Sequence, residues 1–408
     1  MRHTINQKIE DIAVATNAKS NRIVALDILR GWFLIVILIN HIELYPSGFD
    51  YLTGRGRLLV SAAEGFFFMS GLLVGMVYRR RLGHGLKFVF KKMWGRALEL
   101  YIASIFFTLL FTAAAVFLNH QTIKYGLYGV INWPHIIKET VLMRYGYGWA
   151  DFLDRFAILM FIAPVTFWLL ARGKWWLMMG ASFVIWLVGQ RMTVDNFTMT
   201  WQLLFNLAML VGYYWQELSE KWYSLAQTTK HKIKLWVIWL SAISFSLSYA
   251  SVYLLSILNE KLSGLPHWLY NLTLNWNTIN ASVWQYAQKW TMGPLRIILF
   301  LLWFATLFMF VQRYSGGINR RTKHLIELLG RNSLLVYIIH AFVVFAFKLF
   351  IPTNSTFLIN FLITAAALAC LFIATLLYKA YEESINNVLS HTIRTIKRPF
   401  AALLPTHD

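Results

Sequence analysis

Hydrophobic positions along this chain do not alternate with polar ones at the period of a strand or of an amphipathic helix. They come in long unbroken runs. A helix needs roughly 20 apolar residues to cross the hydrocarbon core of a bilayer. Ten stretches approach that length: 24–44, 58–78, 97–118, 152–171, 175–191, 201–217, 233–257, 293–313, 327–350 and 357–379. No repeat of fixed period is apparent. The longest connections, 119–151 and 258–292, contain Pro, Asn and Trp, as surface loops or interfacial segments do. The pattern predicts an all-α polytopic membrane protein of about ten transmembrane helices. Its organisation would be a cytoplasmic N-terminal segment 1–23, one transmembrane domain 24–380 and a cytoplasmic basic tail 381–408.

Composition sharpens this picture. Of the 408 residues, 58% are hydrophobic and only 14% charged, against about 25% charged in an ordinary soluble domain. That excludes a disordered chain, a coiled coil and almost any water-soluble enzyme. The net charge of +20 raises the question of nucleic acid, and the placement of the charges answers it. With the N-terminus inside, the cytoplasmic segments and span edges hold about 25 of the 38 Lys and Arg and the outer loops about eight. Arg79, Arg80, Arg81, Lys87, Lys91, Lys92 and Arg96 dominate. This is the positive-inside bias, so the expected partner is the lipid bilayer and not nucleic acid, with both termini cytoplasmic and an inner-membrane location. The single cysteine, Cys370, lies in the apolar run Ala365–Ile373, excludes an intramolecular disulfide or multi-cysteine metal site, and reads as packed or lipid-facing. A polar first 20 residues and no small-x-small site after the first apolar run argue against a cleavable signal peptide. No metal site and no bound cofactor are expected.

Charged side chains inside a span cost about 2.5–3.5 kcal/mol each, so each is a candidate for function. In the first span Arg30 and His41 are eleven residues apart, three turns plus roughly 20°, and so share a face about 16 Å apart along the axis. A cation at the inner end and a titratable base at the outer end suit a long ligand with an anionic head and a reactive tip. Acyl-CoA has that shape, with Arg gripping oxygens and neutral His taking a proton from a hydroxyl. The structural alternative pairs Arg30 with Asp27 one turn earlier and leaves His41 as a hydrogen-bonded interfacial histidine. Glu64, at the outer end of the second span, is at the right depth to fix a tautomer of His41 or to be a wetted rim carboxylate. Gly65, Ser70, Gly71 and Gly75 beside the run Phe66–Phe68 suit close helix approach. Lys91, Lys92 and Arg96 suit either a CoA phosphate or a plain topology signal. Asp151 and Asp154 open the fourth span, where the helix dipole favours a capping carboxylate. Gln202 and Asn206, one turn apart, suit either sugar hydroxyls or helix-to-helix bonding. Arg296 sits near the outer end of the eighth span, and His340 in the middle of the ninth, where a bond to a neighbouring helix is the bland explanation. There is no P-loop, dinucleotide fingerprint, H-E-x-x-H or G-x-S-x-G.

Taken in order, these residues resemble the transmembrane acyltransferase (acyltransferase-3-like) superfamily and, within it, the OpgC family. The resemblance rests on Leu26-Asp27-Ile28-Leu29-Arg30-Gly31 with Asn40-His41-Ile42, and on Ala62-Ala63-Glu64 with Phe66, Phe68, Ser70 and Gly71. It continues through Arg96-Ala97-Leu98 with Leu100-Tyr101, Asp151-Phe152-Leu153 with Pro164, Trp201-Gln202-Leu203-Leu204-Phe205, and Gly330-Arg331-Asn332-Ser333-Leu334 with His340. It spans residues 22 to about 380. Ser61 stands where an acidic residue is usual, Phe156 where Tyr is, and Phe197-Thr198-Met199 where Phe-Asn-Pro is. The resemblance implies transfer of an acyl group, succinyl or acetyl, from cytoplasmic acyl-CoA to a hydroxyl of an extracytoplasmic glycan; the family is named for succinylation of osmoregulated periplasmic glucans. It makes His41 the catalytic base with Glu64 as its partner. It sets Arg30, Lys92 and Arg96 against the donor, and lines the cavity with Asp27, Asp151, Gln202, Asn206, Arg296 and His340. A transporter or flippase for a glycan or lipid-linked sugar is the rival reading, since intramembrane charges also line translocation paths.

Overall fold

The computed structural model describes residues 22–118, 132–192, 197–350 and 355–401, with side chains to Glu382. The expected N-terminal segment lies outside the described residues up to position 21, as do 119–131 and the end of the tail. The described residues form helices and no strand. They are α1 (Val24–Ile42), α2 (Ala62–Arg80), α3 (Leu86–Leu118), α4 (Trp133–Val141), α5 (Phe152–Ala171), α6 (Trp175–Arg191) and α7 (Phe197–Tyr213). There follow α8 (Trp215–Ser224), α9 (Gln227–Glu260), α10 (His267–Tyr286), α11 (Pro294–Thr322), α12 (Leu325–Arg331), α13 (Ser333–Lys348) and α14 (Phe357–Ala401).

Helix forms in every one of the ten apolar stretches. Among the described residues six of these helices (α1, α3, α5, α9, α11 and α14) are long and apolar enough to cross a membrane, and the bent pair α12–α13, a broken span or a re-entrant loop, brings the number up to seven if it counts as one. The molecule is a multi-pass membrane protein. The ninth stretch, expected as one straight span, breaks at Asn332 with a bend of 101°. There the Asn332 side-chain amide donates to the Leu328 carbonyl at 2.8 Å, beside the backbone N–H of the same residue at 3.2 Å. The third helix begins eleven residues earlier than its apolar run and carries the basic cluster on its first turns. The sixth ends at Tyr213, and the polar α8 follows as a separate, unburied segment. The connection 258–292 contains a whole helix, α10, whose Asn- and Thr-rich sequence has too little hydropathy to register as a span.

Burial explains the architecture. α1 is the axial helix: twelve of its 19 residues are buried, and it touches α2, α11, α12, α13 and α14. By contrast α9 buries only Ser241, Ser248 and Leu255 and exposes Trp236, Trp239, Ile243 and Leu247, a surface suited to lipid. α2 and α7 cross closely, because a Cβ on Gly71 or Gly75 would meet the α7 carbonyls of Phe205 or Met209 at 2.2 Å. That is the close approach expected of those small residues. α1 and α12 are tighter still: a Cβ on Gly330 would lie 1.7 Å from the Asp27 carbonyl oxygen. Between α2, α5, α7 and α11 lies an aromatic core in which Phe67 packs 4.8 Å from Trp201 and Phe68 4.7 Å from Phe304.

Candidate active site

Two features converge on the middle of the bundle, a cavity and a histidine pair. The cavity, about 300 Å³, lies between α1, α2, α3, α5 and α13. Arg30, Ser70, Phe66 and Tyr337 line it, and Tyr78, Arg81 and Arg96 also contribute to its walls. Arg30 stands with its guanidinium 5.9 Å from the centre of the Phe66 ring. Its Nε is buried and finds no hydrogen-bond partner among the described residues. Asp27, one turn earlier, lies within electrostatic range of it but forms no salt bridge with it. Asp27 faces Arg331 of α12 at 3.9 Å, at the α1–α12 crossing, and does not line the cavity. Arg331 in turn pairs with buried Glu327, which also accepts from Asn319 at 2.5 Å.

His41 ends α1 and meets His340 of α13, with Nδ1 of the first 2.9 Å from Nε2 of the second. The His340 ring is fully buried, and its Nδ1 lies 3.2 Å from the backbone carbonyl of Tyr337. His41 is half-buried. His41 is not among the residues lining the cavity; Tyr337, which is, packs tilted against the His340 ring with centres 5.2 Å apart. The expected bond from His340 to a neighbouring helix is present, and the partner is His41. Close by, Lys348 pairs with Glu43 at 2.7 Å and sits 4.9 Å over the Trp149 ring. In the segment after α1, burial, with Glu43 and Asp50 adding to it, pushes the Tyr45 phenol up to about 12. Tyr45 therefore stays protonated at neutral pH and is no base for this chemistry.

Glu64 is the main correction. Its carboxylate does not reach His41. One oxygen accepts from the Ser61 backbone (2.8 Å) and hydroxyl (2.5 Å), closing a capping box on α2, and the other is paired with Arg296. Both partners are buried, and Arg296 also donates to the Ala287 carbonyl at 2.9 Å. Ser61, at the position where an acidic residue is usual, supplies the cap. Arg296 is thus consumed by a buried ion pair and does not line the cavity.

Several other expected cavity residues prove to be helix connectors. Gln202 donates to the Ser182 carbonyl at 2.7 Å, and Asn206 to the Ser182 hydroxyl at 2.7 Å and to Gln202 at 2.8 Å. All three are buried, so the amide pair fastens α7 to α6 instead of meeting a sugar. Asp151 forms no side-chain cap on α5 and faces Arg155 at 3.6 Å. On the donor side, Arg96 reaches the cavity while pairing with exposed Glu99 at 2.9 Å. Lys92, one turn before Arg96 on the same face of α3, is exposed, packs over Phe88 at 5.7 Å and does not line the cavity. Tyr337 was not singled out by sequence. Its spacing of three from His340 was the available signal, since residues three apart on a helix share a face. Among the described residues no group of three or more His, Cys, Asp or Glu could hold a metal ion.

Compared with known proteins, residues 22–383 match the family model described as OpgC protein. No curated protein matches the chain.

Proposed function

This chain belongs to the OpgC family, and from that premise we propose that it is a membrane O-acyltransferase acting on an extracytoplasmic glycan, a periplasmic glucan in the first instance. The donor is cytoplasmic acyl-CoA carrying a succinyl or acetyl group. In this reading α2, α6 and α7 also cross the inner membrane inside the bundle, giving ten crossings with both termini cytoplasmic. Positive charge on the cytoplasmic segments supports that orientation.

One observation carries the functional reading. Arg30, a half-buried cation whose buried Nε has no hydrogen-bond partner among the described residues, lines a cavity whose other wall, Tyr337, packs against His340 of the histidine pair. A buried N–H without an acceptor is costly, and an anionic or carbonyl oxygen of a bound ligand removes that cost through a charge-assisted bond. About 300 Å³ suits the acyl and pantetheine portion of the donor, with Arg81 and Arg96 towards its phosphates. His41 then acts as general base on the acceptor hydroxyl, whose oxygen attacks the thioester carbonyl; the C–S bond breaks and the thiol form of CoA leaves. Glu64 serves this chemistry only indirectly, by holding the start of α2.

The test is acyl transfer by the purified protein in detergent, with succinyl-CoA or acetyl-CoA and unacylated periplasmic glucan. Mass spectrometry reads the new ester. His41→Ala should abolish transfer while the protein stays folded. Arg30→Ala should raise KM for the donor on the order of 10–100-fold, the equivalent of losing about 1.5–3 kcal/mol of charged hydrogen bonding. Full transfer by the His41 variant, or movement of glycan that needs two sealed compartments and releases no CoA, would overturn the assignment.

A further inference from the structure

We propose that His340 is a positioning residue that locks His41 into one tautomer, with the proton on Nδ1 and the lone pair of Nε2 free to act as the base. This inference rests on His41 being the general base and adds what decides which of its nitrogens does the work.

The argument runs along a chain of hydrogen bonds with no freedom in its direction. A backbone carbonyl only accepts, so the contact between His340 Nδ1 and the Tyr337 carbonyl, at 3.2 Å, requires a proton on His340 Nδ1. His340 is fully buried, and its ring meets aromatic Tyr337 and the His41 ring. No carboxylate bonds to it among the described residues, and a buried imidazolium without a carboxylate would pay a large desolvation cost. A neutral imidazole carries one proton. With that proton on Nδ1, His340 Nε2 can only accept, and the atom it accepts from, 2.9 Å away, is His41 Nδ1. His41 is therefore the Nδ1–H form. Its Nε2 is left as the acceptor, and nothing among the described residues bonds to it. The ionisable side chains around the pair do not disturb this order: Lys289 lies within electrostatic range of His41, and so does Lys348, already held by Glu43.

The Tyr337 carbonyl and His340 together occupy the place that a carboxylate holds in the familiar serine–histidine–aspartate arrangement, where the third group sets the tautomer of the base. Glu43, two residues from His41, is held by Lys348, and Glu64 by Ser61 and Arg296. The reaction balances on this arrangement. His41 Nε2 takes the hydroxyl proton, the alkoxide oxygen bonds to the thioester carbon, the C–S bond breaks, and the same proton passes from Nε2 to the departing sulfur. His41 Nδ1–H keeps its bond to His340 throughout.

Two measurements on the full-length protein test the inference. In protein labelled with ¹⁵N-histidine, the ring nitrogens of His41, identified by difference against His41→Gln, should show Nδ1 protonated and Nε2 bare at neutral pH. A protonated Nε2 with bare Nδ1, or a cationic His340, would overturn the inference. In the transfer assay with succinyl-CoA or acetyl-CoA, His340→Leu should lower kcat on the order of 100-fold. KM for the donor should change less than about twofold, because His340 does not line the cavity. His340→Gln, whose amide oxygen falls near the position of Nε2, should recover at least about a tenth of the wild-type kcat. A wild-type rate in His340→Leu, or a glutamine variant no better than leucine, refutes the positioning role. Loss of all activity in His41→Ala alongside full activity in His340→Leu would sink this inference alone, whereas an active His41→Ala would sink the general-base reading beneath it.

Discussion

Replacing Arg296 by Met leaves the Glu64 carboxylate buried against Ser61 alone, and replacing Glu64 by Leu leaves the Arg296 cation with only the Ala287 carbonyl. Both side chains are essentially inaccessible, at 0% and 1% exposure, so neither orphaned charge can be rescued by water. Each single substitution should cost about 3–5 kcal/mol. Making both at once removes the orphaned charge. What then remains is the lost cap on α2, about 1 kcal/mol, and an Ala287 carbonyl without its donor, about 1–3 kcal/mol. The double variant should therefore lose about 2–4 kcal/mol, far less than the sum of the singles, for a coupling of several kcal/mol. Reversible unfolding in mixed micelles by titration with a denaturing detergent, read by helical circular dichroism, measures all four corners of the cycle. Strict additivity would refute the buried pair. The folded double variant should also still transfer acyl groups; complete loss of chemistry with intact donor binding would return Glu64 to the catalytic role that the geometry denies it.

Further outcomes follow from single contacts. Gly330→Ala should disrupt the α1–α12 crossing and lower thermal stability sharply, because the new methyl falls on the Asp27 carbonyl. Gly95→Ala, on an open face of α3 with nothing within 4 Å, should instead gain up to about 1 kcal/mol from helix propensity; equal effects would contradict the packing. Substituting both Gln202 and Asn206 by Leu should cost about 0.6–2 kcal/mol of stability and leave KM for the glycan unchanged, whereas a large rise in that KM would assign the amides to the acceptor. Arg79 holds the Glu217 carboxyl below its ordinary range, by hydrogen bonding first. A group with a depressed folded value contributes stability above its ordinary value and loses it as pH falls through the lowered one. The link between α2 and α8 should thus loosen only in acid, and Glu217→Gln should remove that pH dependence in hydrogen-exchange measurements on α8.

The element pattern was open to sequence because hydropathy is a local property. A run of apolar residues must be helical in lipid, since no water is there to satisfy the backbone, and helix duly forms in all ten runs. The glycines of α2 were legible for a similar reason, as small residues mark close approach whatever the neighbour. Arg30 was legible as an intramembrane charge that needs an explanation. The limits are equally physical. α10 has too many Asn and Thr to announce itself by hydropathy, and the 101° break at Asn332 lies inside an apolar run that looks continuous.

Partnership was decided only by the tertiary structure. Periodicity fixes which face of a helix a side chain shares, but not which helix that face will meet or at what rotation. Depth along the bilayer made Glu64 a natural companion for His41. The packed bundle instead turns Glu64 onto Arg296, 232 residues away, and His41 onto His340, 299 residues away. Gln202 and Asn206 were read from sequence as facing one way, and the structure supplies Ser182 as what they face. Composition thus determined that this chain folds as helices in a membrane and which of its charges demand a role. Only the mutual rotation of those helices, set by interdigitating glycine and aromatic surfaces, determined which polar groups meet.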